Sequence, residues 1–202
     1  MQYPRIIGIV AILFVFAFLA GCAKPPQQDM DTAKAALEAA KSAEAETYAS
    51  GDYIAAKDAL DSAVAEVERQ NAKFAWFRKY KDAQAMLQTA TSKANATKDA
   101  AVAEKEKVRK EAEDTLILAQ NAVTTGKDLL TRAPKGKGER AAIELIKADL
   151  DAVEASFAEI NAAITQGELI SARDKARASL DKANSLNTEL TTAIEKTAMP
   201  KR

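Results

Sequence analysis

Apolar residues recur three and four positions apart along most of this chain, the spacing of one face of an α-helix. The sharpest run is Ile143, Ile146, Leu150, Val153, Phe157, Ile160 and Ile164, whose alternating steps of three and four make a coiled-coil seam. It predicts a helix over about 139–165. Leu169, Ala176, Leu180, Ala183, Leu190 and Ile194 answer it, interrupted by Arg173 and Asn187, and predict a further helix ending near 197. Leu116, Ala119, Val123 and Leu130 offer a third stripe. Short connections make consecutive helices antiparallel neighbours, so these segments are expected to bundle.

Upstream, punctuation is sparse, and each break therefore carries weight. Asp31 can cap a first helix running to about 49, with Gly51 as its left-handed stop. Asp52 can cap the next helix, which meets no Gly or Pro before Gly126 and is expected to run to 131. Its stripe of Leu60, Val64, Val67 and Phe74 gives the first helix a face to lie on. Between Gln88 and Asp114 the large apolar residues are Val102 and Val108. That stretch reads either as an alanine-faced contact or as a solvated rod held by pairs such as Glu106–Lys110; substitutions there are expected to be mild. Ala133, Pro134, Lys135, Gly136, Lys137 and Gly138 form a loop. The fold expected is all-α, an elongated antiparallel helical bundle or coiled coil with one long central helix. Its parts are a leader over 1–21, a tether over 22–30, a helical hairpin over 31–131, a loop over 132–138 and a second hairpin over 139–197 packed on the end of the long helix.

Gly51-Asp52-Tyr53-Ile54-Ala55-Ala56 and Gly167-Glu168-Leu169-Ile170-Ser171-Ala172 look like one turn used twice. Each resembles the inter-helix turn of a tetratricopeptide repeat. Ala56, Leu60 and Ala63 fall at that family's small-large-small packing positions, whereas Ala176 and Ser179 depart from them. The implied unit is a related hairpin and not a repeat solenoid.

Composition supports helix, since alanine supplies 45 of 202 residues and is the strongest helix former. It also excludes chemistry. With no histidine there is no imidazole base or ligand, and one cysteine gives no internal disulfide or thiolate zinc site. Carboxylate pairs such as Glu104 with Glu111, or Asp149 with Glu154, are what helical surfaces always offer. The 136–138 loop lacks the residues of a phosphate-binding loop. No catalytic residue, metal or cofactor is expected. The 29 basic and 29 acidic side chains balance, so nucleic acid is not an expected partner.

Two segments carry functional expectations. Residues 6–20 form an apolar run behind Arg5, short for a membrane span and suited to the core of a signal peptide. The run ends Leu19-Ala20-Gly21-Cys22, which resembles the lipobox of bacterial lipoproteins. That resemblance implies cleavage between Gly21 and Cys22, and diacylglycerol and palmitate on the Cys22 end. Ala23 in place of an Asp implies, by the enterobacterial sorting rule, an outer-membrane protein facing the periplasm. The rest of the chain resembles uncharacterised alanine-rich, all-helical lipoproteins of Gram-negative bacteria. This implies a structural or scaffolding rod held in the membrane by lipid on Cys22. The partner expected is an envelope protein, peptidoglycan or a second copy meeting it through its helices. Two other readings are a covalent peptidoglycan tether and an adaptor subunit of an envelope secretion or transport system. The tether family ends in a lysine coupled to the wall, whereas here Lys201 is followed by Arg202.

The second segment, residues 73–81, gathers Phe74, Trp76, Phe77 and Tyr80 among Lys73, Arg78, Lys79 and Lys81. On a continuous helix Phe74 and Phe77 would face the core. Trp76 and Tyr80 would lie on the far side, bordered by Arg69 and Lys73. Arg69, Lys73, Trp76 and Tyr80 are therefore the partner-contact candidates, the alternative being that another helix covers them. A lipid headgroup contact there would require the tether to let the helix return to the membrane.

Overall fold

Pro26 leads directly into helix α1, Gln27–Ser42, in a computed structural model that describes residues 24–134, 136 and 139–198. The helix starts four residues before the expected cap. Asp31 lies inside it and accepts a bond from Gln27 Nε2 at 3.0 Å, while Asp29 supplies the acidic first turn. After α1 come α2 (Ala45–Tyr48), α3 (Ser50–Asn71), a 3-10 turn (Ala75–Phe77), α4 (Lys81–Arg132), α5 (Arg140–Gln166) and α6 (Leu169–Ala198). The fold is all-α, a helical bundle with one long helix, and no strand occurs among the described residues. Contacts divide the chain into two compact units, one ending at Glu104 and the other beginning at Lys105.

In the first unit α1, α3 and the early part of α4 pack together. One cluster joins Ala33, Leu60, Ala63, Val67, Tyr80, Ala83, Leu87 and Ala90, with Met30 and Met86 against it. Beyond it the core narrows to alanine layers, first Ala36, Ala56 and Ala94, then Ala40, Ala45 and Ala101. The small-large-small positions Ala56, Leu60 and Ala63 are all buried. Of the two readings of 88–114, the part in this unit is the alanine-faced contact. Ala94 and Ala101 are buried there, so larger residues at these two positions should cost more than the mild effect expected of the stretch.

The expected stop at Gly51 is not made. Gly51 sits in the first turn of α3, and the chain turns instead at Glu44, whose φ is 60°. A non-glycine residue in the left-handed region costs about 1–2 kcal/mol. Burial of Ala40 and Ala45 against Ala101 on either side of the turn opposes that cost. Gly51 and Gly167 therefore do not form one repeated turn.

A larger correction concerns the long helix. The hairpin whose second helix runs unbroken to 131 is interrupted between Asn71 and Lys81, and the long helix is α4 alone. Gly126, the first glycine after Gly51, breaks nothing and lies inside α4.

The second unit contains the remainder of α4 with α5 and α6. The seam on α5 is as expected: Ile146, Leu150, Val153, Phe157, Ile160 and Ile164 are buried. Gly167, at φ 81°, donates its N–H to Ile164 O while Glu168 donates to Ala163 O. This is the paired bond pattern by which glycine ends a helix. On α6 the inward positions are Leu169, Ala172, Ala176, Ser179, Ala183, Leu186 and Leu190. The expected Leu180 is half-buried and its place in the stripe belongs to Ser179, whose hydroxyl lies 3.0 Å from that of Ser156. Surface ion pairs flank the seam, among them Lys182–Asp149 at 2.7 Å and Arg177–Glu111 at 3.2 Å; such exposed pairs contribute about 0–1 kcal/mol each. Glu106 pairs with Arg109 at 3.4 Å, one residue short of the expected Lys110.

At Gly126 side chains of α5 and α6 press against the backbone of α4. A Cβ there would stand 2.6 Å from Asn187 Oδ1 and 2.9 Å from each terminal methyl of Leu150. The missing side chain lets Leu150 seat fully and lets Asn187 Nδ2 donate to the Ala122 carbonyl at 2.8 Å.

Candidate functional site

The break after α3 has no glycine or proline to cause it. Side chains cause it by taking the backbone's partners. Arg78 Nε donates to Lys73 O at 2.9 Å and its Nη2 to Asn71 O at 3.0 Å, so two carbonyls that would extend the helix are taken. Gln70, only 3% exposed, closes the neck. Its Oε1 accepts the Lys79 backbone N–H and Lys73 Nζ, each at 3.1 Å, and its Nε2 donates to Glu66 Oε1 at 2.7 Å. Glu66 also accepts two bonds from Arg69, both at 2.7 Å. The Arg69 guanidinium, and secondarily Gln70, hold the Glu66 carboxyl below its ordinary pKa, and Glu66 in turn raises that of Arg69. Tyr80 OH donates to Asn71 Oδ1 across the same neck.

This neck carries an exposed apolar tip. Phe74 is 71%, Trp76 64% and Phe77 70% exposed, whereas Tyr80 is 4% exposed. The helical-face assignment of these four is thus overturned. Phe74 and Phe77 are not core, and Tyr80 belongs to the main cluster of the first unit. The reason is the break itself: helical spacing does not apply across a 3-10 turn flanked by extended residues at Phe74 and Arg78. Of the four contact candidates Trp76 remains outward, Arg69 is tied to Glu66, Lys73 is half-buried on Gln70, and Tyr80 is buried. Phe74 and Phe77 are outward-facing residues that the helical spacing had placed in the core, and the density of aromatics in a stretch of four basic residues was the signal available. Between Asn71 and Lys81 there is no acidic residue.

Tyr80→Phe tests the neck. Losing one hydrogen bond while keeping the ring in place should lower stability by about 0.5–1.5 kcal/mol. Urea unfolding followed by circular dichroism would measure it, and an unchanged midpoint would show that the bond to Asn71 contributes nothing.

Gly21 and Cys22, the expected cleavage and lipid-attachment positions, lie outside the described residues, as does Lys201. Among the described residues no helix is long and apolar enough to cross a membrane, and no three acidic or cysteine side chains are grouped to hold a metal ion. No protein-family model, curated protein or solved structure matches this chain. The class of protein defined by the fold is an alanine-rich, all-α helical bundle.

Proposed function

We propose that this chain is a non-catalytic lipoprotein of the bacterial outer membrane, anchored by lipid on Cys22 and acting on the periplasmic side as a structural or scaffolding element. The observation that carries the reading is Leu19-Ala20-Gly21-Cys22 directly behind the apolar run of residues 6–20. Small residues at 20 and 21 suit entry to a peptidase site, and the cysteine that follows is the sole thiol of the chain. Several acyl chains on one end give stable anchoring where one chain gives a marginal hold. The scaffolding half of the reading is supported by a chain without histidine whose buried apolar stripes make helix–helix contacts and whose tip leaves Phe74, Trp76 and Phe77 exposed.

Intact-mass measurement of the protein extracted from membranes should give a chain beginning at residue 22 with added lipid. Cys22→Ser should remove that species and accumulate the full-length precursor. An unmodified full-length wild-type chain in the membrane fraction would refute the lipoprotein reading.

A further inference from the structure

The aromatic tip and the anchor-bearing end of the chain belong to the same end of the first unit. Met30, in the first turns of α1, and Met86, early in α4, pack on the cluster that holds Val67 and Tyr80. The end of α3, the start of α4 and the start of α1 therefore lie together. The loop bearing Phe74, Trp76 and Phe77 joins the first two of these, and residues 1–23 lead off from the third. The tether is also shorter than its sequence suggests. With α1 starting at Gln27, four residues separate it from Cys22, and the five steps from Cys22 to Gln27 span at most about 18 Å of extended chain. A membrane holding Cys22 thus lies within reach of the loop without any folding back.

We infer that the loop carrying Phe74, Trp76 and Phe77 inserts into the headgroup region of the membrane that holds the N-terminal anchor, with the exposed Lys79 and Lys81 on anionic phospholipid headgroups and the charges of Lys73 and Arg78 behind them. This rests on the proposed function only in requiring that the N-terminal segment be held in a membrane. Three large apolar side chains, each about two-thirds or more exposed, form a patch that folding alone does not explain. Tryptophan favours the bilayer interface, where an apolar ring meets a wet boundary. Four basic residues without an acidic one match the negative surface potential of anionic lipid. Arg78 donates to the Lys73 and Asn71 carbonyl oxygens, which leave its charge unneutralised. The rigid neck made by Gln70 and Tyr80 holds the tip outward, so insertion orders little that is not ordered already.

Trp76 is the only tryptophan, which makes it a reporter with one source. The test uses the full chain, purified from membranes and reconstituted into vesicles of phosphatidylethanolamine and phosphatidylglycerol. Some of these vesicles carry lipids brominated near the headgroup end of the acyl chain. Trp76 emission should move to shorter wavelength, lose most of its intensity to the brominated lipid, and become shielded from aqueous iodide. Replacing phosphatidylglycerol by phosphatidylcholine should weaken all three effects. Phe74→Ser combined with Phe77→Ser, at exposed positions that leave the helical spectrum unchanged, should abolish the bromine quenching. Flotation and intact mass of the same sample report the anchor separately. Protein that floats with the vesicles while Trp76 stays open to iodide and indifferent to bromine overturns the insertion, and assigns the tip to a protein partner. Protein that neither floats nor carries lipid overturns insertion and lipoprotein reading together. Quenching by brominated lipid in a chain that floats without lipid on Cys22 supports the insertion and refutes only the lipoprotein reading.

Discussion

Replacing Leu150 with alanine should cost about 2–5 kcal/mol, the range for emptying a fully buried leucine site. Leu150 is wholly enclosed, and its two terminal methyls rest over Gly126. The wall behind it therefore has no side chain that could move in, so the cavity should persist and the cost should fall in the upper part of the range. Urea unfolding of the full chain, followed by circular dichroism, measures it. The same geometry predicts a dependence between the two positions. Gly126→Ala alone gains helix propensity of about 1 kcal/mol but pushes a methyl to 2.9 Å from Leu150 and 2.6 Å from Asn187 Oδ1. With Leu150→Ala already present, part of that crowding is gone and part of the cavity is filled. The double substitution should thus be less harmful than the two single changes added together, by about 0.5–3 kcal/mol. Strict additivity would mean that the contact between them is not energetically real.

Ala101→Leu should destabilise the first unit by about 1–3 kcal/mol or more, although it exchanges one good helix former for another. Ala40, Ala45 and Ala101 are each fully enclosed and meet in one layer, so three added carbons have no space unless α1 or the Glu44 turn is displaced. Its neighbour supplies the control. Val102 is exposed, and Val102→Ala should stay within about 0.5 kcal/mol of wild type. Thermal melts of the two variants decide the matter; similar melting temperatures would mean that the alanine layers are loosely packed.

Large aliphatic residues made the second unit readable. The seam of α5 announces itself because Ile143, Ile146, Leu150, Val153, Phe157, Ile160 and Ile164 are all bulky and apolar, and Gly167 marks its end because glycine adopts positive φ without cost. On α6 the same heptad was hidden by Ser179 and three small alanines, so hydrophobicity pointed to Leu180, one residue out of register. In the first unit, beyond the cluster of Leu60, Val67, Tyr80 and Leu87, the buried positions are alanine, which looks the same on either side of a helix; what is buried there is decided by how closely backbones approach. The Glu44 turn and the break at 72–80 left still less trace. The first is set by a contact distant along the chain, with Ala101, and the second by polar side chains of Gln70, Arg78 and Tyr80 bonding within nine residues, which apolar periodicity does not register. The aromatic-basic segment was visible as a candidate site, but the outward residues within it could not be chosen while it was read as helix.

Asn187 and Gly126 also bear on which alignment of the helices is allowed. A stripe with a seven-residue repeat fits its neighbours almost as well when displaced by two turns, since one apolar layer resembles the next. Asn187 does not share that indifference. Its amide reaches the Ala122 carbonyl only beside a residue without a side chain, and Gly126 is the sole glycine in α4. Sliding α6 by one repeat would set the amide against a Cβ and take its Nδ2 from the Ala122 carbonyl, stranding a donor beside an Oδ1 that is already buried without a partner, at a cost of about 1–3 kcal/mol. The pair works as a key and its slot, rejecting the near-miss assemblies that an alanine-rich bundle would otherwise sample.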